Sequence, residues 1–118
     1  MIEEEKANIE KLSSLTNLRV LHLEVFPKVT DIAPLSALNA NLTELHLCRL
    51  NENITDIGAL ESLTNLTGLR LSGFKKVSNI TPLQQLHGTL TMLNLSQFNE
   101  NITDIGALES LKNLRTLI

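Results

Sequence analysis

Apolar positions recur along this chain with a period of 24 residues. Leu18, Leu21 and Leu23 return as Leu42, Leu45 and Leu47, as Leu66, Leu69 and Leu71, and as Leu90, Leu93 and Leu95, with a partial copy at Leu114 and Leu117. The last two leucines of each Leu-x-x-Leu-x-Leu alternate with other residues, the period-two pattern of a strand with one buried face. Five short strands are predicted, near residues 19–24, 43–48, 67–72, 91–96 and 115–118. After each strand the spacing changes to threes: Val29, Ile32, Leu35, Leu38; Ile54, Ile57, Leu60, Leu63; Val77, Ile80, Leu83, Leu86; and Ile102, Ile105, Leu108, Leu111. Threefold spacing with Pro34 and Pro82 inside it predicts 3₁₀ turns or a very short helix. A fixed repeat of strand plus turn marks a solenoid of the α/β class, in which each layer covers its neighbour's apolar face.

Polar residues punctuate the same period. Thr30-Asp31, Thr55-Asp56, Ser78-Asn79 and Thr103-Asp104 sit where the turn segment begins, and their side-chain oxygens are expected to accept its free N–H groups. Asn17, Asn41, Asn65 and Asn113, with Thr89 as the exception, precede the strands and are expected to bond neighbouring backbone where the chain turns into the sheet.

Asn65-Leu-Thr-Gly-Leu-Arg-Leu71 followed by Val77-Ser-Asn-Ile-Thr-Pro-Leu83, and Ile102-Thr-Asp-Ile-Gly-Ala-Leu108, resemble leucine-rich repeats of the class found in internalins and phosphatase-regulator-type proteins. The resemblance covers residues 15–118. It implies a right-handed solenoid with a short parallel sheet on the concave face, 3₁₀ segments on the convex face, and a protein-binding role. One departure stands out: where most such repeats carry asparagine or cysteine after the strand, this chain has Phe26, Leu50, Phe74 and Phe98. All the aromatics fall in that column, which is read as a stacked apolar spine.

A second period of 48 residues is superposed on the first. Asn51–Leu66 repeats as Asn99–Leu114 with one change, Thr64 to Lys112, while Phe26–Leu47 and Phe74–Leu95 match more loosely. Such near-identity fits recent duplication or deliberate consensus building. The expected organisation is an N-terminal helical cap over residues 1–15 and leucine-rich repeats over 16–118, as four full repeats and a truncated fifth. Ile2, Ile9 and Leu12 among charges are what such an amphipathic cap needs.

Composition narrows the functional classes. The chain has 118 residues, 42% of them hydrophobic, and a net charge of −3, with no basic stripe of the kind nucleic acid requires. No apolar run approaches membrane-spanning length, and the acidic start lacks the features of a signal peptide, so a cytoplasmic chain with no membrane contact is expected, whether complete, excised or engineered. The single Cys48 excludes an internal disulfide. Six Asn-x-Ser/Thr sequons, at Asn41, Asn53, Asn65, Asn79, Asn94 and Asn101, follow automatically from the repeat itself.

Side chains between the strand leucines point to the concave face. Their central column reads His22, His46, Arg70, Asn94, Ile118; the flanking columns are Val20, Glu44, Gly68, Met92, Thr116 and Glu24, Cys48, Ser72, Ser96. Arg19, His22, Glu24, Glu44, His46, Arg49, Arg70, Met92 and Asn94 are the expected contacts to a protein partner. His22, His46, Glu24 and Cys48 are all zinc-ligand types within reach of one another, but on a flat sheet without the close-spaced pairs of a zinc motif, so neither metal nor cofactor is expected, and a metal-responsive surface centred on His22 and His46 stands as the second alternative to partner binding. A Cys48–His46 or Cys48–His22 pair lacks an orienting group and oxyanion donors, which argues against an enzyme. His87 is placed in a solvent-facing turn. Leu114, Leu117 and Ile118 form a leucine-rich layer without a polar cap, and self-association there, as a homodimer or end-to-end stack, is the alternative to partner binding.

Overall fold

Five parallel strands lie side by side in chain order: β1 (Val20–Glu24), β2 (Glu44–Cys48), β3 (Gly68–Ser72), β4 (Met92–Asn94) and β5 (Thr116–Leu117). The computed structural model describes residues 9–99, 102 and 105–118. Each crossover passes through a 3₁₀ segment, at Ala33–Leu38, Gly58–Ser62, Thr81–Leu86 and Gly106–Ser110. The register advances one period per strand, so that Leu21 faces Leu45, Leu45 faces Leu69, Leu69 faces Leu93 and Leu93 faces Leu117. Identical residues are thereby stacked about 4.8 Å apart.

The core lies between sheet and turns and is built from those columns. Leu45, Leu69 and Leu93 from the strands meet Leu35, Leu60 and Leu83 from the turns, and all six are fully buried. Burial of each such side chain contributes about 1.5–3 kcal/mol, so the layers supply the stability and the loops need little of their own. The Phe column packs as the sequence suggested: Phe74 and Leu50 are buried, and the Phe74 and Phe98 rings lie 6.2 Å apart at a 34° tilt.

Hydrogen bonds between layers follow the same period. The Asn41 amide donates to Thr16 O, Asn65 to Asn39 O and Ala40 O, and Asn113 to Gly88 O; Thr89 replaces asparagine by donating its hydroxyl to Thr64 O and Leu66 O. The strands begin one residue later than predicted because one carbonyl at each entrance takes two N–H donors: Arg19 O accepts from Thr43 and Glu44, and Thr43 O from Thr67 and Gly68. β4 ends at Asn94, whose Oδ1 accepts the Ser96 N–H.

In the three described pairs the turn cap comes from the second member. Asp31, Asp56 and Asn79 Oδ1 accept from the N–H of Ala33, Gly58 and Thr81 at 2.9, 2.7 and 3.0 Å. The residue at the N-cap itself is an isoleucine committed to the core, so the acceptor stands one residue earlier. Asp104 lies outside the described residues.

Every strand from β1 to β4 is followed by a left-handed residue: Val25, Arg49, Gly73 and Gln97, with φ of 61°, 57°, 88° and 52°. The inter-layer ladder explains it, because Val25, Arg49 and Gly73 each donate an N–H to a carbonyl of the next layer. Only one layer uses glycine; in the others the side chain is held in a conformation that costs about 1–2 kcal/mol per residue. Residues 9–12 are helical and Ile9 is buried in the core; residues 1–8 of the expected N-terminal cap lie outside the described residues.

Candidate interaction face

The parallel register sets three columns on the concave face. Val20, Glu44, Gly68, Met92 and Thr116 line the strand entrances; His22, His46, Arg70 and Asn94 run through the middle; Glu24, Cys48 and Ser72 line the exits. Seven of the nine expected contact residues belong to these columns. Arg19 does not: its parity is that of Leu21 and Leu23, and it sits at the mouth of β1 above Thr43, the start of a threonine ladder in which Thr43, Thr67 and Thr91 hydroxyls donate to the carbonyl one layer back. Arg49 follows β2 and reaches the concave rim through its left-handed backbone.

At the centre, β1 and β2 place His22 directly beside His46, and the rings stack with centroids 3.9 Å apart and planes 4° from parallel. Glu44 joins them from the entrance column. His22 Nε2–H donates to Glu44 Oε2 at 2.8 Å, which fixes the proton on that nitrogen, while His46 Nε2 stands 3.8 Å from the same oxygen. His46 Nε2 is shielded from solvent and has no hydrogen-bond partner. Burial holds the His46 pKa below its ordinary 6.5; His22 and Arg70 push it the same way, against Glu44 and Glu24. An imidazole that loses its proton below the usual range is neutral near pH 7.

The combination of His22, His46, Glu24 and Cys48 does not assemble. The carboxylate beside the imidazoles is Glu44, and Cys48, only 8% exposed, is packed against its neighbours in the exit column. Glu44 and Met92 flank Gly68, where a Cβ would meet Glu44 Cγ at 3.7 Å and Met92 Cε at 3.6 Å, both ordinary contact distances.

At the exit side a hollow of about 330 Å³ opens between the sheet and the left-handed column. Arg49 and Arg70 enter it with Glu24, Ser72, Ser96 and Gln97, and Arg70 Nε is shielded from solvent without a hydrogen-bond partner. The hollow escaped the sequence reading because the turn that forms its wall is marked by one glycine only. Elsewhere, Asn41 and Asn65 have their amide nitrogens committed to backbone, and His87 is exposed at the end of its turn. Leu114 is half-buried, whereas Leu117 and Ile118 are 57% and 66% exposed. No helix among the described residues is long and apolar enough to cross a membrane.

Leucine layers of fixed period, a parallel sheet and 3₁₀ crossovers define a leucine-rich-repeat solenoid. Residues 40–85 match the leucine-rich repeat family as two copies. Among solved structures the chain is similar to internalin C2 of Listeria monocytogenes, at 32% sequence identity and a TM-score of 0.73. That match covers 94% of this chain and 49% of the internalin, so the chain spans less than half of that relative's length. No curated protein matches it. Repeats of this class are protein-interaction modules.

Proposed function

We propose that this chain is a non-enzymatic recognition module that holds a protein partner across its concave sheet. The observation that carries this reading is the exit-side hollow, which Arg49 and Arg70 line against the single carboxylate of Glu24 and where the Arg70 Nε–H has no acceptor. A guanidinium fork is matched by a carboxylate with two parallel hydrogen bonds, so an acidic side chain on an extended partner segment suits the hollow. Ser72, Ser96 and Gln97 offer further polar contacts at its wall, and the strand register sets His22, Glu44 and Asn94 alongside on the same face. The test is selection from a random-peptide library on the wild-type protein, followed by affinity measurements on variants. Arg70→Ala and Arg49→Ala are expected to weaken the selected binders at least tenfold, and the convex Glu61→Ala to leave them unchanged. Binders indifferent to both arginine variants would overturn the reading.

A second reading is favoured by the exposure of Leu117 and Ile118: association of copies through the β5 layer. Light scattering on the wild type and on Leu117→Lys separates the two. A concentration-dependent oligomer abolished by the lysine supports association, and a monomer throughout rejects it.

A further inference from the structure

We propose that His22, Glu44 and His46 form a three-donor site for a divalent transition-metal ion, with zinc as the reference ion. The site does not depend on the partner-binding reading, and its test uses the protein alone. Its donors come from two adjacent strands in fixed register: both imidazoles from one cross-strand pair, and the carboxylate two residues before His46 on the same strand. One ligand atom from each side chain lies within 4.8 Å of the other two.

Zinc bonds nitrogen and oxygen at about 2.0–2.2 Å, which places neighbouring donors of a tetrahedral site about 3.3 Å apart. Here the two imidazole-to-carboxylate separations are 2.8 and 3.8 Å, on either side of that spacing. The strand register already sets the three side chains side by side, so bringing the donors together takes rotations of the exposed His22 and Glu44 side chains and a smaller turn of the mostly buried His46 ring. The stacked rings turn about their outer torsions until both Nε2 lone pairs face the Glu44 carboxylate, and His22 exchanges the Nε2 proton it now donates to Glu44 for one taken from water on Nδ1, so that the ring stays neutral and Nε2 is free to ligate.

His46 supplies the specific signal. Its Nε2 is shielded from water and has no partner, in a position where a ring nitrogen ordinarily finds one. A metal ion at that point satisfies this nitrogen and the Glu44 oxygen together. Two imidazoles and one carboxylate form a donor set suited to zinc, copper or nickel, and unsuited to magnesium or calcium, which take oxygen ligands. Three protein donors leave the remaining coordination position on the open concave side, available to water or to a donor from a bound protein.

The experiment is calorimetric titration of zinc chloride into the wild-type protein at pH 7.5, with magnesium chloride as the reference. Variants His22→Ala, His46→Ala and Glu44→Gln are compared with Cys48→Ser, His87→Ala and Glu24→Gln, and circular dichroism establishes that each is folded. One zinc ion per chain is expected, with at least tenfold weaker binding in each of the first three variants, little change in the other three, and no binding of magnesium. Absence of saturable zinc binding overturns the proposal. So does binding that survives His22→Ala and His46→Ala, or that is lost with Cys48→Ser or His87→Ala.

Discussion

Residues 51–66 and 99–114 differ in sequence only at Thr64 and Lys112, and their Gly58–Ser62 and Gly106–Ser110 segments form the same 3₁₀ turn. Leu60 N–H donates to Ile57 O at 3.0 Å and Leu108 N–H to Ile105 O at 2.9 Å; Leu63 and Leu111 repeat the bond one step later, each at 3.1 Å. Their burial is different. Ile57 is 1% exposed and Ile105 is 62% exposed, and Leu60 is fully buried where Leu108 is only partly so. The segment Gly58–Ser62 packs against Ala33–Leu38 on one side and Thr81–Leu86 on the other, whereas Gly106–Ser110 packs against Thr81–Leu86. Local sequence therefore specifies the turn, and neighbouring layers specify how much each leucine or isoleucine contributes, as expected of a quasi-one-dimensional stack.

The strongest way to sharpen this contrast is to make one substitution in both copies. Ile57→Ala is expected to lower unfolding stability by about 3 kcal/mol, and Ile105→Ala by well under about 1 kcal/mol, because only the first leaves a cavity in a closed layer. Urea denaturation of the pair measures the difference directly. The column of left-handed residues allows a comparison of the same kind between layers. A Cβ at Gly73 meets Arg49 backbone only at ordinary contact distance, so the cost of Gly73→Val is conformational, about 1–2 kcal/mol. Val25→Gly is expected to act in the opposite direction and by less, up to about 1 kcal/mol of stabilisation, since glycine adds entropy to the unfolded chain. Thermal unfolding of the two variants tests the opposite signs.

The amides that tie the layers together give a smaller contrast. Asn65 donates to two carbonyls and Asn113 to one, so Asn65→Ala is expected to cost about 1–2 kcal/mol and Asn113→Ala about half as much, read by chemical denaturation. The smallest effect belongs to the concave face, which neither copy contains. With the His46 pKa depressed in the folded state, the unfolded chain takes up its proton first as pH falls. The stability contributed by neutral His46 is fully present above 6.5 and is lost as pH falls through the lower folded value. His22, Glu44, Arg70 and Glu24 are the charged groups that face His46 and shape this shift. Urea midpoints between pH 7.5 and pH 5 should decline more steeply in the wild type than in His46→Asn.

Much of this architecture was legible because the repeat declares it four times over. Leucine spacing places the strands to within two residues, and Pro34 and Pro82 exclude long helices on the convex side. Asn41, Asn65 and Asn113, which precede the strands, and the Phe column also fall where the sequence puts them. What stayed hidden depends on backbone conformation or on choices between equal neighbours. Three of the four left-handed positions hold Val25, Arg49 and Gln97, none of which signals that conformation. Glu24 shares a strand with His22 and Glu44 with His46, each diagonal to the other histidine, so the period cannot tell which carboxylate leans towards the pair. Arg19 was readable in principle, because its parity is that of the buried leucines.

The claim that neighbouring layers, not local sequence, set stability along this solenoid is tested most directly by native-state hydrogen exchange at matched amides. Leu60, Leu63 and Leu66 should exchange through openings close in free energy to global unfolding, and Leu108, Leu111 and Leu114 much faster, although the donors, acceptors and bond lengths are nearly the same. Equal protection at the two sets would contradict it, and would place the stability of each repeat within the repeat itself.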